Sequence, residues 1–300
     1  MTNYGFVVLN YKNYSDTIEC VSSLLAIERN DYKIVIVDNF SENESIEKLQ
    51  RHFSYNEKVN VLTAPHNRGY SGGNNIGIKF LLDMSVKRII IATNDTVLIS
   101  EDILDKFDEL DLSGVGIVGP EVLSLDGDLQ NPTLIKPSIL YLLNLYYYSP
   151  MKYIRSHIYN LLPIMQKARK YYLTRQKLSV AEKQRCIQSP KLTSVYMLHG
   201  CFLYLTESYV SNIGYLDDNI FMYGEEDLMS WQCEKAGLSR LFVPGISVLH
   251  KERKSTKTVH NNEIDVFVEN NTLKSRKYLI SRITFFPLFK TILKYGIFGL

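Results

Sequence analysis

The sequence has few cysteines and no CxxC motif. The four cysteines lie far apart, at Cys20, Cys186, Cys201 and Cys233. Neither a zinc knuckle nor a disulfide framework is indicated, and a reducing cytoplasm fits best. Long apolar runs are also missing, since none reaches the roughly 18 residues expected of a membrane-spanning helix. The first residues lack the basic-then-apolar layout of a signal peptide, so we expect no export.

Two phosphate-binding motifs are absent as well. The glycines between Asn67 and Gly77 do not follow the GxGxxG spacing, and no GKS or GKT follows them. Rossmann dinucleotide binding and P-loop NTPase activity therefore lose their main support. The formal net charge is only +2, and we expect no nucleic-acid partner. The 300 residues, 45% of them hydrophobic, can bury one large α/β domain or two closely joined ones.

Strand-like and helix-like segments alternate at the start of the chain. The strands are predicted at Phe6–Leu9, Ile34–Val37, Val59–Leu62 and Arg88–Ala92, and the helices at Ser15–Ile27, Ser45–Phe53 and Gly73–Met84. This alternation predicts a largely parallel sheet with helices on both faces and ligands at the strand ends. Helix caps are predicted at Ser15 or Asp16 for the first helix and at Ser41 for the second.

The later part of the chain predicts fewer regular elements. After a strand near Val115, further strands are expected at Val195–Leu205, Ser239–Val243 and Ser247–His250, with a helix at Asp227–Ala236. A basic aromatic insert at about residues 134–190 separates the two parts, and Glu182 is the one acidic residue between positions 151 and 190. This insert predicts either attachment to an anionic membrane surface or polyanionic acceptor, or a helical excursion with a solvated basic face.

Asp95 is the most informative residue, because it follows the apolar strand Arg88–Ala92. A carboxylate at such a strand end projects into the crevice where ligands bind, and hard oxygen ligands suit Mg²⁺ or Mn²⁺. His250, after another predicted strand, is a candidate second ligand, with a structural histidine as the alternative.

Polar residues also follow the first two strands. Tyr11 offers a ring for stacking on a nucleobase, and Asp38 offers acceptors for base or ribose donors. A loop-packing tyrosine and a turn cap are the alternatives. The segment Asn67–Gly77 supplies glycines, the Arg68 cation and side-chain amides directly before a helix, which suits the binding of a diphosphate. The alternative is a plain loop-to-helix turn.

Three adjacent carboxylates, Glu225, Glu226 and Asp227, precede the predicted helix at Asp227–Ala236. They are well positioned to complement the helix dipole. Burial or mutual repulsion would raise the pKa of one of them toward that of a general base, which predicts a proton-abstracting role.

In their order and spacing, these motifs resemble those of the inverting family 2 glycosyltransferases with the GT-A fold, and in particular the bacterial rhamnosyltransferase-like branch. The similarity extends from about Val7 to Ser255. It is carried by Leu9-Asn10-Tyr11, Val37-Asp38-Asn39, the segment Asn67–Asn74, Asn94-Asp95-Thr96, His199–Phe202 and Ile213–Asp217.

The resemblance implies a GT-A-like α/β fold, with a mixed, mainly parallel sheet flanked by helices. A Rossmann-like nucleotide-sugar-binding half is expected at residues 1–120 and an acceptor-binding half at residues 121–255, which includes the helical insert. An amphipathic helical tail is expected at residues 256–300.

The resemblance also implies a nucleotide-diphosphate sugar donor of the dTDP or UDP type, with rhamnose as the first choice. The implied donor-binding residues are Asn10, Tyr11, Asp38, Asn67, Arg68, Gly69, Ser71, Asn94 and Asp95. One divalent cation, Mg²⁺ or Mn²⁺, would be held by Asp95 and His250. An acceptor hydroxyl would be deprotonated and attack the anomeric carbon with inversion.

The acidic motif departs from the family pattern of Glu-Asp followed, after one residue, by a second Asp. Alignment on Tyr223-Gly224 and Trp231 assigns the catalytic base to Glu226, with Asp227 as the substitute. The usual Asp-x-Asp metal motif is likewise reduced to Asn94-Asp95-Thr96.

Two other classes remain to be compared. The altered acidic motif suggests a non-catalytic protein that binds nucleotide sugars or glycans. A nucleotidyltransferase is disfavoured, because the glycine-rich segment with a following Thr-Arg that such enzymes carry after the first strand is absent from this sequence. For the enzyme, the expected acceptor is a cell-surface polysaccharide or lipid-linked glycan. The basic insert and tail would then hold a cytoplasmic protein peripherally on the inner face of the cell membrane.

Overall fold

The computed structural model describes residues 2–134, 136, 191–251 and 264–295. Apart from its first residues, the predicted basic aromatic insert lies outside the described residues. Among the helices in these ranges, none combines the length and the apolarity needed to cross a membrane.

The described ranges contain strands and helices in alternation. The strands are β1 (Tyr4–Asn10), β2 (Tyr32–Asp38), β3 (Val59–Thr63), β4 (Arg88–Thr93), β5 (Thr96–Leu98), β6 (Val115–Ser124), β7 (Thr193–Ser194), β8 (Phe202–Leu205) and β9 (Ser239–His250). The helices are α1 (Tyr14–Leu25), α2 (Ser45–Phe53), α3 (Gly69–Asp83), α4 (Ile103–Asp108), α5 (Glu207–Asn212), α6 (Glu225–Ala236) and α7 (Ile264–Tyr295).

All of these strands join one mixed sheet in the order β3-β2-β1-β4-β8-β6-β9-β5, with β7 paired to β9. The pairs β2–β3, β1–β2, β1–β4 and β6–β9 are parallel, and the other pairs are antiparallel. The predicted GT-A-like class, a mixed α/β sheet flanked by helices, is confirmed. Residue 120, the expected boundary between the two halves, lies inside β6, so both halves share this sheet.

Two apolar cores cover the two faces of the sheet. Side chains alternate between the faces of a strand, so Phe6 and Val8 join one core with Leu24 of α1, while Val7 joins the other with Ile78 of α3. This alternation buries both faces of β1, which explains why its sequence is a nearly continuous apolar run.

The predicted caps of the first two helices and the predicted start of the third were wrong, whereas the second helix begins at Ser45 as predicted. Asn13 caps α1, since its side chain accepts the N–H of Asp16. Glu44 occupies the cap position of α2, whereas the Ser41 N–H donates to the Asp38 carboxylate. Helix α3 begins at Gly69 rather than at Gly73, because side-chain amides hold the backbone just before it. A Cβ at Gly73 would lie 2.5 Å from the Leu9 side chain, so this glycine allows α3 to approach β1 closely.

Two strand predictions also need correction. Val195–Leu205 is not one strand, because the chain leaves the sheet between β7 and β8 and forms a turn around Gly200. The two predicted strands near the end are a single strand, β9. A register shift against β6 accommodates its Pro244-Gly245 interruption.

Candidate active site

A cleft of about 570 Å³ opens at the carboxyl ends of β1, β2 and β4. These ends lie together because the three strands are parallel neighbours. Strand β8 is antiparallel to β4, with Ala92 opposite Phe202, and therefore brings the preceding segment His199–Cys201 to the same edge. The cleft is thus lined from both halves of the sheet.

Asn10 and Asp38 form a buried network beneath the cleft. The Asn10 Nδ2 donates to Asp38 Oδ1 at 2.6 Å, and the backbone N–H of Ser41 donates to the other carboxylate oxygen at 3.0 Å. The Thr17 hydroxyl donates to the side-chain Oδ1 of Asn10 at 2.7 Å. Asn10 and Asp38 do not line the cleft, and they hold the turns that follow β1 and β2.

Asn39 connects the end of β2 to the start of α3. Its Nδ2 donates to Asn67 Oδ1 and to the Gly69 carbonyl, both at 3.0 Å, while its Oδ1 accepts the Arg68 N–H at 3.0 Å. The Arg68 guanidinium instead extends to Asp218 at 3.2 Å, outside the cleft. Asn67, Gly69 and Tyr70 are therefore the members of this segment that line the site.

The Tyr70 N–H at the start of α3 donates to the Phe221 carbonyl at 3.0 Å. Gly69 has a φ of +68°, and a Cβ there would lie 1.9 Å from that same carbonyl oxygen. The start of α3 and the loop before α6 are consequently in direct contact. Ser71, one residue further, is buried within the helix and does not line the cleft.

Asp95 and His250 meet on the cleft wall. Thr96 of β5 pairs with His250 of β9, and this register brings Asp95 Oδ2 to 3.5 Å from His250 Nε2. Gln130 Oε1 lies 2.8 Å from the His250 Nδ1 and accepts its N–H, so Nε2 is the ring nitrogen that faces Asp95. Burial acts to raise the pKa of Asp95, but the hydrogen bond and charge of His250 outweigh it, so the pKa is lowered.

The segment His199–Cys201 adds two further candidate metal ligands. Ligand atoms of His199, Cys201 and His250 all lie within 4.8 Å of one another. Burial raises the pKa of the Cys201 thiol well above its usual range, so the sulfur stays protonated, and the His199 Nδ1 accepts the Cys201 N–H at 3.2 Å. An ionised carboxylate is an oxygen ligand that suits Mn²⁺ or Mg²⁺, and Asp95 supplies one in this site beside the His250 imidazole.

The carboxylates at the start of α6 point in different directions. Glu226 lines the cleft, and its Oε1 accepts the Gly200 N–H at 3.2 Å. Asp227 lies outside the cleft and accepts the Tyr196 hydroxyl at 2.9 Å. Glu225 also lines the cleft but is buried, and its Oε2 has no hydrogen-bond partner in the described part of the chain.

Burial raises the pKa of all three carboxylates. For Glu225, burial and then the charge of Glu226 raise it to about 8. Burial also raises the pKa of Glu226, against the opposing backbone hydrogen bonds of Glu226 and Gly200. The pKa of Asp227 is raised by burial, with the Tyr196 hydroxyl opposing it. A carboxylate with a raised pKa is the stronger base when ionised, and Glu226 is one that reaches the cleft.

The cleft gathers some of the predicted site residues and not others. Those that line it are Tyr11, Asn67, Gly69, Asn94, Asp95, Glu226 and His250, whereas Asn10, Asp38, Arg68, Ser71 and Asp227 do not. Gln130 and Phe267 line it without having been predicted. Gln130 lies in an irregular segment after β6, and Phe267 comes from the tail helix, so no motif marked either.

Sequence comparison identifies the family to which the chain belongs. The sequence profile described as "Glycosyl transferase family 2" matches residues 6–173, more than half of the chain. The chain belongs to glycosyl transferase family 2. Low-salt glycan biosynthesis hexosyltransferase Agl10 of Haloferax volcanii is 24% identical to this family 2 chain over 227 residues, which are 75% of this chain and 60% of that relative.

Solved structures share the fold of this family 2 chain at low sequence identity. GalNAc-T7 with UDP, GalNAc and Mn²⁺ gives a TM-score of 0.59 at 14% identity and covers 93% of this chain and 48% of that one. S. aureus TarS 1-349 in complex with UDP-GlcNAc gives 0.53 at 11% identity, with 94% and 71% covered. The chain thus spans 60% of the length of the curated relative and about half of GalNAc-T7.

Proposed function

We propose that this family 2 chain is an inverting glycosyltransferase that moves a hexose from a nucleotide-diphosphate donor to an acceptor hydroxyl, assisted by one divalent cation. The observation that carries the proposal is that Glu226 and the Asp95–His250 pair line one cleft. They are linked through a short segment, because the Gly200 N–H donates to Glu226 and the His199 ring centroid lies 5.0 Å from that of His250.

Glu226 is the proposed base. It accepts the proton of the acceptor hydroxyl as the oxygen attacks the anomeric carbon, and the bond from that carbon to the diphosphate breaks on the opposite side. The Gly200 N–H holds the carboxylate in position. A cation bound by Asp95 and His250 would supply positive charge for the departing diphosphate.

The proposed donor is a dTDP- or UDP-linked hexose, with dTDP-rhamnose as the first candidate. Support comes from the resemblance to the rhamnosyltransferase-like branch, from a relative named a hexosyltransferase, and from the UDP-GlcNAc complex of TarS. Tyr11 is the proposed stacking partner of the base, while Asn67 and Gly69 are proposed to lie along the diphosphate. Asn10, Asp38, Arg68 and Ser71 would support this donor site from outside the cleft.

The proposed acceptor is a cell-surface polysaccharide or a lipid-linked glycan, reached from the inner face of the cell membrane. The basic and aromatic composition of residues 134–190 supports attachment to an anionic surface. Flotation with vesicles of phosphatidylglycerol and phosphatidylethanolamine tests this part separately, since vesicles that fail to retain the protein would contradict it.

The central test is a thermal-shift panel of dTDP-rhamnose, UDP-glucose, UDP-galactose, UDP, dTDP and GDP, each with and without Mn²⁺. A ligand that binds the folded state alone raises the melting temperature, so one nucleotide with a Mn²⁺-dependent shift supports the donor and the cation site together. Release of nucleoside diphosphate from that donor then tests turnover. Binding without any turnover would favour the non-catalytic alternative, and no shift with any nucleotide would contradict the proposal.

A further inference from the structure

A second groove, also of about 570 Å³, adjoins the cleft. Phe221 and Phe267 line both cavities, and their rings pack edge to face with centroids 6.4 Å apart. Asn219, Asn271 and Lys274 contribute polar groups to the groove side of these rings. The two cavities are therefore separated by an aromatic partition rather than by a wall of backbone.

One face of α7 forms much of this groove. Phe267, Asn270, Asn271 and Lys274 follow the spacing i, i+3, i+4 and i+7, so their side chains share a stripe of the helix. A helical stripe that packs on a protein core is apolar, whereas this stripe carries two amides and an ammonium. Asn270 and Lys274 are exposed, so their donors are available to a ligand.

The groove is held in shape by hydrogen bonds between α7 and the loop before α6. The Ser275 hydroxyl donates to the Met222 carbonyl at 3.2 Å, and the Tyr278 hydroxyl donates to Asp217 at 3.0 Å. Asn219 donates to the same Asp217 carboxylate at 2.7 Å. These bonds join the helix wall and the loop wall, so the groove is formed before any ligand arrives.

We propose that this groove binds the second sugar residue of the acceptor glycan while the first lies in the cleft beside Glu226. The inference rests on the proposed function. Amide side chains both donate and accept, which matches the hydroxyl pairs of a sugar, and an aromatic ring at the partition packs on the C–H face of a pyranose. The acceptor class is thus an oligosaccharide of at least two residues.

Saturation-transfer NMR on the full chain with UDP tests the proposal. The probes are glucose with maltose, galactose with lactose, N-acetylglucosamine with chitobiose, and mannose with mannobiose. We expect at least one disaccharide to bind about tenfold more tightly than its monosaccharide. The double variant N270A/K274A should lose this gain, while K277A, an exposed lysine of α7 outside the groove, should keep it.

Two results would overturn the groove proposal: no disaccharide gains affinity over its monosaccharide, or the gain persists in N270A/K274A. The thermal shift with UDP or dTDP and Mn²⁺ is measured on the same samples. If the unaltered protein shows no thermal shift with nucleotide and Mn²⁺, that result counts against the proposed function instead. The two failures are therefore distinguishable.

Discussion

His250 Nε2 lies 3.5 Å from Asp95 Oδ2 although the two residues are far apart in the sequence. Lys251 fixes this end of β9, because its backbone N–H donates to the Asp95 carbonyl at 2.9 Å and its ammonium lies 3.4 Å from the Asp16 carboxylate. Both side chains of that ion pair are buried. Strand register and a buried ion pair, rather than a mobile loop, therefore set the geometry of the proposed cation site.

Replacing the Asp95 carboxylate should remove the cation and leave the fold. In D95N the amide keeps the volume of the side chain but offers no negative charge, so we expect the Mn²⁺-dependent part of the nucleotide thermal shift to disappear and kcat/KM to fall by about 100-fold or more. Asp126 is exposed, and D126N is the matched control that should behave like the unaltered protein. A full Mn²⁺-dependent shift in D95N would exclude Asp95 as a ligand.

The two candidate bases can be separated by paired amide substitutions. E226Q retains an oxygen that accepts the Gly200 N–H but cannot take a proton, so kcat should fall by about 10²- to 10⁴-fold with donor binding unchanged. D227N alters a residue that bonds to Tyr196 outside the cleft, and a loss below about tenfold is expected. Steady-state kinetics with product detection measures both, and the reverse order would assign the base to Asp227.

The buried carboxyl of Glu225 should make stability depend on pH. In the folded protein its pKa is raised from the usual 4.5 to about 8. The protonated side chain therefore contributes fully to the free energy of unfolding below pH 4.5, and this contribution is lost as the pH rises toward 8. The slope is at most about 1.4 kcal/mol per pH unit. Urea unfolding from pH 5 to pH 9 should show this decline in the unaltered protein and a weaker one in E225Q.

E101Q, a change at an exposed glutamate, is the control and should keep the decline of the unaltered protein. Parallel pH profiles for E225Q and the unaltered protein would show that Glu225 does not carry the effect.

The core of the fold was predictable because its strands carry a strong local signal. Runs such as Arg88–Ala92 are apolar and β-branched over the length of a buried strand, and β4 occupies that position. The helix starts were harder, since the capping groups of α3 come from Asn39 and Asn67 rather than from an adjacent serine or aspartate. Strand β5, with three residues, is too short to give a period of its own.

The site was predictable where it lies at strand ends and not where it depends on tertiary contacts. Asp95 lies two residues after the end of β4, so the sheet topology brings it to the cleft. Gln130 reaches His250 from an irregular segment, and Phe267 reaches Phe221 from the tail helix. Neither approach leaves a periodic pattern or a motif, because each depends on how distant segments pack.

Gly69 joins α3 to the loop before α6, and a pair of glycine substitutions can measure that contact. Gly69 and Gly127 have positive φ values of 68° and 81°, so alanine strains the backbone at both, by about 1 to 2 kcal/mol. A Cβ at Gly127 meets nothing within 4 Å, whereas one at Gly69 would lie 1.9 Å from the Phe221 carbonyl oxygen. In urea unfolding, the free energy of unfolding of G69A should therefore fall by about 3 kcal/mol or more, and that of G127A only by the backbone cost.

Because the displaced loop leads into Glu226, G69A should also lower kcat, while G127A should not. Equal losses of stability in the two variants would mean that the contact with Phe221 does not hold this loop in place.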